Sequence, residues 1–265
     1  MLRLICANVN GVRAAARRGG LDRLAAQRPD VLCLQEVRAD DDQLAEVLDA
    51  GGFGDWHVAH TEATAKGRAG VAVLSRTPIL ALRIGLPGFA DAGRWVEADV
   101  ATDSGPLTVV SAYVHTGEAG TARQVEKLAF LSAMTYRMGA LAADDGALAV
   151  VTGDLNVAHR QDDLRNWKGN LRKAGCLPEE RAVLDTWLSG GWVDVHRQAA
   201  GEVPGPYTWW SWRGQAFDTD TGWRIDYQMA TGALARRVAA VHVDRAAAYD
   251  LRWSDHAAVV ADYDV

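Results

Sequence analysis

Cysteine is scarce: three in 265 residues, at Cys6, Cys33 and Cys176, with no paired spacing. An odd, scattered set argues against a disulfide framework or a zinc site and leaves reduced thiols packed as small hydrophobes. Long apolar runs are missing too. None approaches the ~18 residues needed to span a bilayer, and the opening MLRLICANVNGV meets Asn8 and Asn10 too early to form a signal-peptide core. A cytoplasmic protein with no membrane partner is the expectation. Excess positive charge is also lacking: the formal net charge is −6, so no global field attracts a polyanion. With no repeat, linker or low-complexity tract, the chain reads as one domain across residues 1–265.

What is present is a globular composition, 49% apolar and 23% charged, enough to bury a large core. LRLICANV and VLCLQEV read as strands, separated by a helical stretch that ends at Gln27-Arg28-Pro29-Asp30. Residues 40–50 read as a helix with acids in the first turn and Gly51-Gly52 as its stop. DWHVAH, GVAVLS, PILALRIG, RWVEADVAT and PLTVVSAYV follow as adjacent antiparallel strands. Residues 122–143 show a helical period through Val125, Leu128, Ala129, Leu131, Met134 and Leu141, and Arg181 to Leu188 forms another helix. ALAVVTGDLNV, YTWWSW, WRIDYQMA, ARRVAAVHV and HAAVVADY are the remaining strands. One echo stands out: ICANVNGV and VVTGDLNVA are apolar runs ending in Asn8-x-Asn10 and Asp154-x-Asn156. Polar pairs at the C-terminal ends of buried strands lie where α/β architectures place ligands. The pattern predicts an α/β fold of two β-sheets packed face to face, with helices outside.

Those strand ends carry a coherent chemistry. Gln35-Glu36 closes the run VLCL, an awkward place for a glutamate unless it is paired or ligates a cation; the plain alternative is a solvated strand-end acid. Asp154 and Asn156 follow Gly153, which lets another backbone approach closely. Their alternation would put both side chains on one face of a strand, although a turn-capping pair has the same pattern. Asp255-His256 precedes the last strand and sends its side chains to opposite sides of an extended backbone. Asp226 lies in the apolar run GWRIDY; as a partner it would fix the tautomer of His256 and stabilise its cation. Together these residues suit phosphodiester hydrolysis, which needs carboxylates for a hard divalent cation, a group to orient water, and donors for phosphate oxygens.

Local basic clusters supply what the net charge lacks. Arg160, Arg165, Lys168, Arg172 and Lys173 crowd one segment against Asp162 and Asp163, and Arg13, Arg17 and Arg18 form a second group; either also fits a solvated face. Ten tryptophans is a high count. Trp209, Trp210, Trp212 and Trp223 gather near the proposed site, with Trp210 and Trp212 equally readable as core.

The motifs NVNGVRA (8–14), LCLQEV (32–37), GRWVEADV (93–100), GDLNVAH (153–159), DLRNWKGNLRKAG (163–175), GWVDVHR (191–197), YTWWSWR (207–213), GWRIDY (222–227) and SDHAAV (254–259) run along nearly the whole chain. On them the chain resembles the exonuclease III family of apurinic/apyrimidinic endonucleases, within the endonuclease/exonuclease/phosphatase superfamily. The resemblance implies a four-layer α/β sandwich, two packed mixed sheets flanked by helices, and dependence on Mg²⁺ or Mn²⁺. It implies a monomeric DNA-repair nuclease that incises 5′ to abasic sites, with 3′-to-5′ exonuclease and 3′-phosphodiesterase activities alongside. Its partner would be double-stranded DNA with abasic sites or blocked 3′ ends.

Residue by residue, the resemblance implies Glu36 and Asp255 as metal ligands, with Asn10, Asp154 and Asn156 close to the ion. Asp154 would activate or orient the attacking water, and Asn8 and Asn156 would be orienting donors. His256, paired with Asp226 and flanked by Tyr113, would contact the scissile phosphate. Asn8, Arg94, Thr116, Arg165, Asn166 and Lys168 would meet phosphate or DNA. Trp209, Trp223 and Ile225 would line an apolar pocket for a flipped-out abasic sugar, whose lost pairing and stacking make flipping cheaper.

Two departures concern the rim. Many family members follow Tyr-Val with Pro-Asn, whereas Tyr113-Val114 is followed by His115-Thr116, so an amide expected near the phosphate is replaced by a hydroxyl. The loop QAFDTDT carries Asp218 and Asp220 where related sequences have basic residues. A superfamily phosphoesterase acting on a small phosphoester is the alternative enzyme, opposed by the basic 160–173 segment and the aromatic pocket. A non-catalytic DNA-binding module is the alternative outside catalysis, opposed by the intact set of polar positions.

Overall fold

The computed structural model describes residues 1–265. The first half runs β1 (Leu2–Asn8), α1 (Val12–Arg17), α2 (Gly20–Ala26), β2 (Val31–Gln35), α3 (Asp41–Ala50), β3 (His57–Thr61), β4 (Val71–Ser75), β5 (Ile79–Ile84), β6 (Trp95–Thr102), β7 (Gly105–Tyr113) and α4 (Ala122–Leu141). The second half runs β8 (Ala149–Asp154), α5 (Trp167–Asn170), α6 (Pro178–Ser189), β9 (Trp192–Asp194), α7 (Val195–Ala200), β10 (Asp226–Thr231), α8 (Gly232–Ala235), β11 (Val238–Asp244) and β12 (Ala258–Tyr263).

The strands form two six-stranded sheets, in the orders β11-β12-β1-β2-β4-β3 and β9-β10-β8-β7-β6-β5. Written this way the sheets share a pattern: β1 is parallel to β2 and antiparallel to β12, and β8 is parallel to β7 and antiparallel to β10. The echo in the sequence is thus a repeat in topology. β1 and β8 occupy matching places, and Asn8 and Asp154 are their last residues. Both sheets are mixed, as expected.

Binary patterning explains the layers. β2, β4 and β8 are buried along their whole length, so their near-continuous apolar runs suit strands covered on both faces. One core lies between the sheets, with Leu4, Cys33, Val73, Val96, Val109 and Ala261 among its members. A second packs α1–α3 onto the first sheet through Ile5, Leu24, Leu44 and Trp253, and a third packs α4 and α6 onto the second through Trp95, Phe130, Met134 and Trp187. The layers therefore run helix, sheet, sheet, helix. The three cysteines are free and buried, as read. No helix is long and apolar enough to cross a membrane.

Local signals place most boundaries. Asp40 caps α3 by accepting from Gln43 N at 2.9 Å. α6 begins at Pro178 rather than near Arg181, because proline suits the first helical position and Glu180 accepts from Leu177 N at 3.0 Å. Two expectations are corrected. YTWWSW is not a strand: only Trp209 makes bridges, to Trp223 and His256, while the Thr208 hydroxyl takes the N–H groups of Ile225 and Asp226 at 3.1 Å. For the same reason WRIDYQMA becomes a ladder strand only from Asp226.

Arg224 is fully buried between Asp163 at 2.6 Å and Asp194 at 2.7 Å, and Arg197 bonds the same Asp163 at 2.5 Å. Asp163 therefore ties the basic 160–173 segment to β9 and β10 and does not offset its exposed cations. Next to this network, His196 has no partner on either ring nitrogen. Burial, with Arg224 adding, pushes its imidazole down to about 4, and burial beside Arg94 does the same for His115. An unfolded histidine titrates near ~6.5, so on acidification the unfolded chain takes up these protons first. Both contributions to stability are complete above pH ~6.5 and fade as pH falls toward 4. His196→Leu is expected to flatten the urea midpoint against pH across that window; an unaltered profile would contradict the assignment.

Candidate active site

The C-terminal ends of β1, β2, β7 and β8 meet the N-terminal ends of β10 and β12 at one edge of the sandwich. Register sets the pairs: Asn8 lies beside Gln35, Tyr113 beside Asp154, and Asp154 opposite Asp226. Gly153 makes this approach feasible. Its φ is +147°, and a Cβ there would meet the Ala112 carbonyl oxygen at 1.8 Å.

Asp154 and Asn156 converge, but not along one strand face. β8 ends at Asp154, and Asn156 adopts φ 49°. Its backbone N donates to Asp154 Oδ1 at 2.9 Å and its Nδ2 to Asp154 Oδ2 at 3.0 Å, the side-chain turn that asparagine and aspartate favour. The turn-capping pattern and the site role therefore coexist. Asn10 repeats the device: φ 46°, with its N donating to Asn8 Oδ1 at 3.0 Å. Glu36 and Arg38 are left-handed as well. Such backbone costs about 1–2 kcal/mol per ordinary residue and is concentrated here, as strained geometry often is at working sites.

Asn8 is fully buried, and its Nδ2 bridges Glu36 Oε1 at 3.0 Å and Asp154 Oδ2 at 2.9 Å. That corrects the expectation of a phosphate contact, since both amide hydrogens are spent on carboxylates. His256 Nδ1 donates to Asp226 Oδ2 at 2.9 Å, and its Nε2 lies 3.8 Å from Asp154 Oδ2. Burial opposes the imidazolium, but Asp226 and Asp154 outweigh it and raise His256 to about 10. Burial pushes the Asp154 carboxyl well above the usual range, with Asp226 and Glu36 adding against His256. Burial, Glu36 and Asp154 likewise keep the Tyr113 phenol protonated.

Asp255 stands apart from that cluster, held by Asn10 Nδ2 at 2.7 Å and Trp209 Nε1 at 3.1 Å. Ligand atoms of Glu36, Asp154 and His256 lie within 4.8 Å of one another. An imidazolium cannot ligate, so the donors for a cation are the two carboxylates. Among Glu36, Asp154, Asp226 and Asp255 the only ion-pair partners are His256 and Arg38, the latter with Glu36. An oxygen-rich site short of positive charge fits a hard divalent ion.

The cluster opens into a cleft of about 590 Å³ lined by Glu36, Thr116, Asp154, Asn156, Trp209, Trp223, Ile225, Asp255 and His256. Trp209 and Trp223 meet edge to face, with centroids 6.4 Å apart, above the buried Ile225. Asn170, Lys173, Ala174 and Gly175 form another wall, which the sequence reading missed apart from the basic character of Lys173. Arg94, Arg165, Asn166 and Lys168 lie outside the cleft lining; Arg94 pairs with Glu126 at 3.1 Å. The other three are exposed. Trp210 packs on Phe217 and Trp212 on Tyr249, away from the cleft. Asp220, read as an acidic rim residue, accepts from the buried Trp210 Nε1 at 3.0 Å, so it has a structural partner.

The sequence profile of the endonuclease/exonuclease/phosphatase family matches residues 5–256. The chain belongs to that family. It is 31% identical to an exodeoxyribonuclease of Bacillus subtilis over 97% of this chain and 98% of that protein. Its structure is similar to an AP endonuclease from Archaeoglobus fulgidus, with a TM-score of 0.85 and 27% identity over all of both chains. A 3′ phosphatase from Neisseria bound to a product DNA hairpin gives a TM-score of 0.87 and 29% identity, again over both whole chains. In this family setting Glu36→Gln is expected to weaken Mn²⁺ binding by ~10-fold or more in a paramagnetic resonance titration; unchanged affinity would place the ion elsewhere.

Proposed function

We propose that the chain is a divalent-metal-dependent DNA-repair nuclease that incises the backbone 5′ to abasic sites, with 3′-to-5′ exonuclease and 3′-phosphodiesterase activities at the same centre. The observation that carries this reading is an imidazolium, His256, fixed between Asp226 and Asp154 on the floor of a cleft walled by Trp209, Trp223 and Ile225. The resemblances to an exodeoxyribonuclease, an AP endonuclease and a 3′ phosphatase support it.

The chemistry follows from the fixed groups. A scissile phosphate over the cluster receives a hydrogen bond from His256 Nε2–H, whose charge Asp226 maintains through Nδ1. The donor stays protonated at neutral pH because its value is near 10. Water against Asp154 is aimed by the three hydrogen bonds that orient this carboxylate, two from Asn156 and one from Asn8. Burial gives Asp154 the basicity that a solvated aspartate near ~4 lacks. Attack on phosphorus releases the 3′ oxygen of the preceding nucleotide, for which the neutral Tyr113 phenol is the available donor; both Nδ2 hydrogens of Asn156 are taken, by Val114 O at 2.8 Å and Asp154 Oδ2 at 3.0 Å. Glu36 and Asp154 would hold Mg²⁺ or Mn²⁺, which when bound neutralises charge on the phosphoryl oxygens.

The cleft favours a baseless sugar. Trp209, Trp223 and Ile225 present an apolar wall, and a nucleotide that has lost pairing and stacking leaves the helix at lower cost. The exposed Arg160, Arg165, Lys168, Arg172 and Lys173 supply local phosphate attraction despite the net charge of −6. Asp154→Asn and His256→Asn are each expected to lower turnover of an abasic duplex by at least ~10³-fold while the far-ultraviolet dichroism stays native. Full activity in both variants would show that another site does the chemistry.

A further inference from the structure

Lys127 stands on the inner face of α4, beside Gln124, Phe130, Leu131 and Met134. Its side chain is fully buried, where a cation persists only if it is paired and hydrogen-bonded. The ammonium uses its three donors completely: Glu180 Oε1 at 2.6 Å, Asn156 O at 2.8 Å and Thr116 O at 3.2 Å. Glu180, equally buried on α6, also accepts from Gln124 Nε2 at 2.9 Å, Gly175 N at 2.7 Å and Leu177 N at 3.0 Å. One ion pair thus gathers the loop after β7, the turn after β8 and the loop before α6. Thr116, Asn156 and Gly175 from these three segments all line the cleft.

Asn156 transmits the effect. Its left-handed backbone sets the N–H and Nδ2 that grip the two oxygens of Asp154, and Lys127 pins the carbonyl of that same residue. Gly175 closes against it, since a Cβ there would meet Asn156 O at 3.0 Å and Trp223 at 3.1 Å. We propose that Lys127, paired with Glu180, is a positioning residue for hydrolysis, holding the Asn156 turn so that Asp154 stays aimed at the reacting water. The proposal rests on the assignment of Asp154 to that water. Lys127 itself touches no reacting atom. A pair that only glues α4 to α6 would make activity follow stability; a positioning pair separates them.

The test compares Lys127→Met, Glu180→Gln, the double variant and Asp154→Asn for kcat and KM on an abasic duplex, with urea unfolding of each. In the double variant no unpaired charge is left in the core, and the amide introduced at position 180 could donate to Gln124 Oε1, which is buried without a partner. Lys127→Met and the double variant are expected to lose about 10²-fold in kcat, with KM within about threefold. Glu180→Gln keeps the bond from Lys127 to Asn156 and should lose less than about tenfold. If Lys127→Met is too unstable to assay, the double variant carries the comparison. A double variant with wild-type kcat, or losses ranked by unfolding midpoint, would overturn the proposal. Wild-type kcat in Asp154→Asn would remove both the Asp154 assignment and this proposal; an inactive Asp154→Asn beside a fully active double variant removes the proposal alone.

Discussion

An imidazolium pressed between two buried carboxylates requires everything around it to be held in place. His256 sits ahead of β12, Asp226 starts β10 and Asp154 ends β8, so the trio exists only while the two sheets keep their mutual register. The repeat in topology supplies that register. Matching strands bring matching turns to the same edge, and Asn8 and Asp154 point their polar ends at each other across the sheet interface. Charges that would be costly singly are tolerable here because each has a partner close by.

Around the trio, function is divided among fixed neighbours. Asn8 ties Glu36 to Asp154, Asn10 and Trp209 hold Asp255, and Asn156 orients Asp154. The aromatic wall is anchored by paired backbone bonds between Trp209 and Trp223 at 2.9 Å. Behind it the buried Arg224, Asp163 and Asp194 lock the basic segment to β9 and β10. The floor is therefore cross-linked by hydrogen bonds, and the exposed cations stand on a segment tied down by the buried Asp163 carboxylate and by backbone bonds to its neighbours.

Much of this is legible in the sequence, because apolar runs that stop in a polar pair announce strand ends. Glu36 and Asp154 are placed by that pattern, Asp226 by its position inside an apolar run and His256 by its position just ahead of one, and the echo between residues 8–10 and 154–156 foretells the paired sheets. Turn geometry is not legible: alternation puts Asn156 on a strand face, and it lies in a left-handed turn. The run YTWWSW has strand composition, yet its backbone groups are taken by side chains and by single bridges. The periodicity along α4 puts Val125 inward, whereas it is 68% exposed and Gln124 and Lys127 are buried instead. Two polar residues on a core face are the available signal, hidden when apolar spacing alone is followed. β9 and α7 are too short to carry a period of their own.

The rim departs from the family pattern in the places the sequence marks. His115 is buried, Thr116 lines the cleft where related sequences have an amide, and Asp220 serves Trp210. These differences leave the floor intact and bear on how DNA is gripped. The most direct measurement offers the protein three duplexes side by side, one with a single abasic analogue, one nicked and one intact, with Mg²⁺ and with chelator. The account predicts a cut immediately 5′ of the abasic position that leaves a 3′-hydroxyl and needs the cation, with no internal cut in the intact duplex. Absence of that product with Mg²⁺ or Mn²⁺, at enzyme in excess over DNA, would contradict it.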